Sequence, residues 1–239
     1  MLQKLKNVRI GKNNYISKNV IIHDNVTIGN NNKIYDNVIL YPHVKIGDNN
    51  VILPRNIIGE FPINSKNISY DFSLSKGVYI GNDNFFHVNN IIFSGIDNET
   101  FIGNNNKLLS ENHIGHDVKI KNLVTFYPRC IAGGFSIYLN HSNIGMSSII
   151  RQKIIVGQYS MIGGNSMITK NVFPYYININ NKIHRFNEVK IPNEILPYDT
   201  TLRIINENFK NSNYNYKNYD LPVEIKDNLN EYINNINSF

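Results

Sequence analysis

Aliphatic residues recur at every sixth position along most of the chain. From Ile10 the register runs through Ile16, Ile22, Ile28, Ile34, Leu40, Ile46, Ile52 and Ile58 without a slip. It breaks after Asn64, where residues 64–79 are inserted, resumes at Ile80, Phe86 and Ile92, and is interrupted again by residues 98–101. From Ile102 it continues through Leu108, Ile114, Ile120, Phe126, Ala132, Tyr138, Ile144, Ile150, Val156 and Ile162 to Ile168, which makes 24 hexads. A period of six cannot keep one face of a helix apolar, so the pattern predicts short strands. The second position is often Gly, the fifth is Val, Asn, Ser or Cys, and Asn-Asn-Asn stands at 30–32 and 104–106. Gly and Asn enter the left-handed backbone region most cheaply, so they mark corners between strands.

Repeats this short bury their apolar residue only by stacking on their neighbours, which is the logic of a solenoid. With three hexads to a triangular coil, the pattern predicts a mainly β protein, a parallel β-helix of about eight coils and roughly 38 Å in height at about 4.8 Å per coil. This domain is expected over residues 1–190, with the inserted loop 64–79. Residues 191–239 read as a small C-terminal helical segment. Apolar residues there take helical spacing at Leu202, Ile205 and Phe209, and again at Ile225, Leu229, Tyr232, Ile233 and Ile236, with Pro192, Pro197 and Pro222 near the starts. Two amphipathic helices of this kind suit a cover for the open edge of the last coil or an oligomer contact.

The triangular geometry also says which residues share a column. Positions eighteen apart fall on successive coils, so His116, Gly134 and Gln152 stack, and Ser94 occupies the same column one coil earlier once the four inserted residues are skipped. Both insertions leave from the corner that ends this face. A rigid face with two overhanging excursions is a natural place for a groove.

Asn-His-Ile-Gly-His-Asp at 112–117, Ile-Gly-Glu at 58–60 followed by a loop holding Ile-Ser-Tyr at 68–70, and Asn-Val-Phe-Pro-Tyr-Tyr at 171–176 resemble the cytoplasmic UDP-N-acetylglucosamine acyltransferases of lipid A synthesis. The resemblance runs in register over about residues 8–190. It implies a left-handed β-helix, against the usual crossover rule, and a homotrimer with sites between prisms. It implies His116 as general base, Asp117 as its acidic neighbour, His113 as the substrate-side histidine, Gly134 as the oxyanion glycine and Gln152 near the acyl donor. Asn67 and Tyr70 in the loop, Arg151 and Ser94 complete the expected substrate contacts. The chain departs from the family at Phe135 and Arg151, where histidines are usual, at Asn67 and Ser69, which replace an Asp and a Lys, and in lacking a pair of arginines after the β-helix.

The residues suit the same chemistry. A sugar hydroxyl is too weak an acid to attack a thioester unaided, and a histidine, with an unperturbed pKa of about 6.5, is the usual side chain for taking its proton at neutral pH. A backbone N–H that no side chain obstructs is a ready donor to the oxyanion that follows. The leading expectation is therefore acyl transfer from acyl carrier protein to a hydroxyl of a UDP-amino sugar. The alternatives are acetyl-coenzyme A-dependent N-acylation of an amino-sugar nucleotide and a non-catalytic β-helix scaffold. The thioester is a co-substrate, and no bound cofactor is expected.

Composition narrows the setting. The 239 residues are 41% hydrophobic and 18% charged, with no apolar run long enough to span a bilayer, so no stable membrane insertion and a cytoplasmic location are expected. Cys130 is the single cysteine, which excludes an intrachain disulfide or a thiolate metal cluster. The net charge of +6 suits an anionic substrate or carrier, but no basic-aromatic motif points to nucleic acid. A zinc trio of His113, His116 and His141 has the wrong spacing for β-helical carbonic anhydrases, and no metal is expected.

Overall fold

A computed structural model describes residues 6–62, 72–188, 191–210 and 216–238. Strands β1 to β24, from Arg9–Ile10 to Met167–Ile168, wind into three parallel sheets in which each strand pairs with the third strand before and after it. This is the expected parallel β-helix, with eight complete coils. A ninth turn begins at Val172, which bridges Val156 of the first sheet, and continues in β25 (Tyr176–Ile179), which joins the second sheet beside β23 (Met161–Ile162); the antiparallel β26 (Lys182–Phe186) closes that sheet.

The hexad rule holds at the level of single residues. The aliphatic residue of each strand points inward, and from Ile28 to Ile168 these side chains form one buried core. The fifth position turns inward as well, and its asparagines form hydrogen-bonded ladders. Asn14, Asn32, Asn50, Asn84 and Asn106 each accept the backbone N–H of the residue one coil on, at 2.8–2.9 Å. Asn56, Asn90 and Asn112 form a second ladder that ends on the Cys130 N–H. A buried amide that satisfies corner N–H groups in this way avoids the cost of orphaned donors.

The corners adopt φ of about +55 to +65°, as the Asn-rich spacing predicted. The early corners use Asn at 13, 25, 31, 37 and 49. Beside the later coils the same conformation is imposed on Asp117, Leu123, Arg129, Phe135, His141, Lys153 and Tyr159. Neighbouring coils over-determine the backbone there, so the corner position is free to carry other chemistry at the expense of local strain.

The C-terminal segment folds back on the helix wall. Helices α1 (Asp199–Lys210) and α2 (Val223–Ile236) place Leu202, Ile205, Ile225, Leu229 and Tyr232 against Ile137, Leu139 and Ile155 on the outer surface of the first sheet, and against Phe173, Tyr175 and Tyr176 beyond it. Pro222 caps α2, and Pro192 precedes a 3-10 turn over Asn193–Tyr198. His141, Tyr159 and Tyr175 stack along one corner, where Asn228 of α2 donates to the Tyr175 hydroxyl at 2.7 Å. The two helices thus cover the side of the last coils as well as their end. No helix among the described residues is long and apolar enough to cross a membrane.

Candidate active site

The third sheet carries β9 (Ile57–Glu60), β12 (Ile91–Phe93), β15 (His113–Ile114), β18 (Ile131–Ala132) and β21 (Ile149–Ile150) side by side. Ile114 pairs with Ala132 and Ala132 with Ile150, so His116, Gly134 and Gln152 follow in register, as the eighteen-residue spacing predicted. Ile92 pairs with Ile114, which puts Ser94 below His116.

His116 is half-buried, and its Nδ1 lies 2.9 Å from Asp117 Oδ2. Asp117 is fully enclosed, and the second excursion wraps around its carboxylate. The N–H groups of Ile96, Asp97 and Asn98 donate to it at 2.8, 3.0 and 2.6 Å, and the Asp117 N–H donates to Thr100 Oγ1 at 2.9 Å. Burial by itself would raise the carboxyl's pKa. The His116 ring and the three backbone donors outweigh it and hold the group below the usual carboxylate range. An ionised carboxylate only accepts, so Nδ1 carries a proton toward it and Nε2 is the ring nitrogen left facing Gly134.

The excursion that builds this cradle is tight. A Cβ on Gly95 would overlap the Asn98 carbonyl oxygen. The two insertions also pair with each other, since Gly95 donates to Gly77 at 3.1 Å and Lys76 donates to Gly95 at 3.0 Å. The carboxylate therefore fastens the second excursion to the coil. Its pKa is lower folded than unfolded, so the stability it contributes is present above the unfolded value of about 3.9 and is lost as pH falls through the folded value. Asp117→Asn should lower stability by about 1–3 kcal/mol at neutral pH, because an amide NH₂ would face backbone donors. The variant should also lose less stability than the wild type as pH falls below about 4; thermal melts on a descending pH series check both.

Gly134 supplies the opposite wall. A Cβ there would fall 2.7 Å from His116 Nε2, so only glycine leaves the base unobstructed. The Gly134 N–H makes no hydrogen bond among the described residues, while its carbonyl accepts from Lys153. Around them lies a groove of about 330 Å³ lined by Pro62, Phe93, His113, Gly115, His116, Ile131 and the glycines at 133 and 134. His113 points outward from β15 with its ring 4.8 Å from that of Phe93, and desolvation in the groove lowers its pKa. It enters the site as a neutral imidazole.

The other expected contacts are distributed unevenly. Gln152 and Arg151 are exposed one coil above Gly134, outside the groove lining. Ser94 is fully buried, and its hydroxyl has no partner among the described residues, so it supports the column from within. Asn67, Ser69 and Tyr70 lie outside the described residues. Phe135 does not line the groove: it meets the His116 ring edge-on at 5.1 Å, with the Lys153 ammonium 5.8 Å from its own ring. His141 is on another corner, under Tyr159, and no three His, Cys, Asp or Glu side chains among the described residues are grouped to hold a metal. Sequence reasoning missed Thr100 and the three donors at 96–98. Their one trace in the sequence is the four-residue interruption of the hexads, which locates an excursion and says nothing of what it binds.

Comparison with known proteins agrees with this geometry. Residues 25–60 match the bacterial transferase hexapeptide family (six repeats). A segment of 77 residues is 30% identical to an acyl-[acyl-carrier-protein]–UDP-N-acetylglucosamine O-acyltransferase of Rhizobium leguminosarum bv. trifolii, covering 32% of this chain and 28% of that one. A longer segment of 132 residues is 27% identical to the protein of that name in Campylobacter concisus, covering 54% of this chain and 49% of that one. The matches thus span less than half the length of these curated relatives. The solved structure of a UDP-N-acetylglucosamine acyltransferase from Bacteroides fragilis superposes with a TM-score of 0.76 at 28% identity, over 98% of this chain and 91% of that chain. The chain is similar to the UDP-N-acetylglucosamine acyltransferases. This structural likeness takes in 98% of the chain, which is more than the repeat match at residues 25–60 covers.

Proposed function

We propose that the protein transfers an acyl group from a thioester on acyl carrier protein to a hydroxyl of a UDP-amino sugar. The observation that carries this reading is a histidine whose Nδ1 is tied to an enclosed carboxylate while its Nε2 faces a glycine with a free N–H. His116 Nε2 takes the proton of the acceptor hydroxyl as the oxygen attacks the thioester carbonyl. The Gly134 N–H holds the oxyanion of the tetrahedral intermediate. Collapse breaks the carbon–sulfur bond, and the departing thiolate takes the proton from His116. Neutral His113, on the rim of the same groove, is suited to bind the acceptor.

Turnover with a panel of thioesters and UDP-amino sugars tests the assignment, with a 3-hydroxyacyl chain on acyl carrier protein as the first donor. Transfer from acetyl-coenzyme A alone, to an amino group, would replace this reading with N-acylation. Absence of transfer from every donor would leave the β-helix a scaffold.

The active form in this reading is a homotrimer. The outward positions of the third sheet read Ile21, Ile39, Ile57, Ile91, His113, Ile131, Ile149 and Met167, one continuous column in which His113 alone is polar. Ile21, Ile131, Ile149 and Met167 are each more than 40% exposed. The corresponding column of the first sheet is mixed, reading Arg9, Thr27, Lys45, Tyr79, Phe101 and Lys119 before Ile137 and Ile155, which lie beneath the C-terminal helices. An uncovered apolar stripe of this length suits a neighbouring prism that also walls the groove. Sedimentation equilibrium at micromolar protein should return three times the chain mass, and a monomer would remove the shared site.

A further inference from the structure

The peptide unit that presents the Gly134 N–H joins two glycines, Gly133 and Gly134. Close packing on the column requires both. A Cβ on Gly133 would fall 2.4 Å from the Gln152 backbone nitrogen, and one on Gly134 would strike His116. Consecutive glycines also leave the unit between them freer to rotate than other residue pairs would, so something must hold it. The hold comes from inside the prism. The Gly133 carbonyl accepts from the Ser136 N–H at 3.2 Å and from Ser136 Oγ at 2.7 Å, and the Tyr138 hydroxyl lies 3.1 Å from Ser136 Oγ.

The direction of this chain follows from its members. A carbonyl oxygen only accepts, so the single hydroxyl proton of Ser136 goes to Gly133, and Tyr138 supplies the proton between the two hydroxyls. Burial raises the Tyr138 pKa far above its ordinary value, so the group is a protonated donor at neutral pH. Donation therefore runs one way, from Tyr138 through Ser136 to the Gly133 carbonyl, and the Gly134 N–H stands at the far end of the same peptide unit.

An ordinary corner does not need the tyrosine. Ser160 makes the same 2.7 Å bond to the Gly157 carbonyl with no second hydroxyl behind it among the described residues, and the Ser142 hydroxyl has no partner among them. Tyr138 is the one inward residue of the 24 hexads that carries a polar group, whereas Phe86 and Phe126 hold the same hexad position elsewhere. A ring thus packs in the core without a hydroxyl. Ala132, the smallest inward residue, belongs to the same coil and offsets the volume of the tyrosine. Burying a hydroxyl costs stability unless it is bonded, and this one is aimed at the peptide that faces the base.

We propose that Tyr138 and Ser136 are positioning residues for the oxyanion site: their hydrogen-bond chain fixes the plane of the Gly133–Gly134 peptide and polarises it, which makes the Gly134 N–H a stronger donor to the tetrahedral intermediate. The inference rests on the acyl-transfer reading above. Hydrogen bonds in series strengthen one another by roughly 10–30% per bond, and a whole oxyanion donor is worth about 10²–10³ in rate. Loss of the Tyr138 hydroxyl should therefore lower kcat about two- to eightfold. Loss of Ser136 also frees the plane and should cost about tenfold or more.

Tyr138→Phe is the lead variant, since it removes one oxygen and keeps the ring. It should melt near the wild-type temperature, and Ser136→Ala and Ser136→Ala/Tyr138→Phe complete the set. All three should lower kcat with both KM values unmoved, because the oxyanion is absent from the bound substrates. The double variant should be no slower than Ser136→Ala, as Tyr138 acts only through Ser136. It also leaves no orphaned hydroxyl, so it carries the test if Ser136→Ala fails to fold. A readout apart from turnover comes from the full chain grown on glycine labelled with carbon-13 at the carbonyl and nitrogen-15 at the amide. A one-bond carbonyl-to-amide correlation spectrum then shows only the Gly-Gly peptides, 133–134 and 163–164. Tyr138→Phe should move the first peak upfield in its carbonyl dimension and leave the second in place. An unmoved 133–134 peak, or an unchanged kcat in a variant whose peak has moved, overturns the proposal and leaves acyl transfer standing. A peak that moves in a protein that transfers no acyl group from any donor overturns acyl transfer and leaves the chain of hydroxyls a structural clamp.

Discussion

His116→Ala should lower kcat for acyl transfer by about 10²–10⁴-fold, the usual contribution of a positioned general base. The fold should survive the change. The inward neighbours Ile114 and Val118 are untouched, and Asp117 keeps the three N–H donors that fasten the second excursion. His113→Ala should behave differently, raising the acceptor KM more than it lowers kcat, because His113 lines the rim and its ring has no carboxylate partner among the described residues comparable to Asp117. Steady-state kinetics on both variants, with circular dichroism to confirm the β-helix, measure the split. Near-normal turnover in His116→Ala would return the column to a structural role.

Gly134→Ala should cost on the order of 10²-fold in kcat, although it keeps the N–H assigned to the oxyanion. The added methyl would lie 2.7 Å from Nε2 and 2.8 Å from Cε1 of His116, so the ring must turn away from its bond to Asp117. Displacement of a reacting group by about 1 Å is enough for a loss of that size. Gly134 does not adopt a left-handed conformation, so Ala fits the backbone and the protein should melt near the wild-type temperature. The His116→Ala/Gly134→Ala double variant should be no slower than His116→Ala alone, since both changes act through one imidazole. Additive losses would mean that Gly134 acts independently of the base.

The site was legible in the sequence where the repeat reached it. A fixed spacing of eighteen put His116, Gly134 and Gln152 in one column before any coordinates, because a solenoid converts sequence distance into spatial distance. Ser94 shows the limit of that arithmetic. Its register is as counted, yet the hydroxyl is enclosed, because the second excursion covers the corner above it. Phe135 shows another. It follows the glycine assigned to the oxyanion, yet its ring turns along the coil edge to pack on His116. Neither orientation is a function of register; each depends on what the loops cover.

The sequence alone determined the scaffold: the inward aliphatic column, the Asn and Gly corners, the positions of both insertions and the two amphipathic helices. All of these are periodic, and each repeat constrains the next, so local pattern and global fold agree. Tertiary structure alone decided that the backbone at 96–98 closes on the Asp117 carboxylate, that this sets which ring nitrogen of His116 faces it, and that Asn206 is enclosed with no hydrogen-bond partner among the described residues, between the C-terminal helices and the hairpin. Those contacts join segments with no shared period, an insertion to a coil and a helix to a hairpin. Their geometry follows from how non-repeating chain packs on the prism, and no spacing in the sequence encodes it.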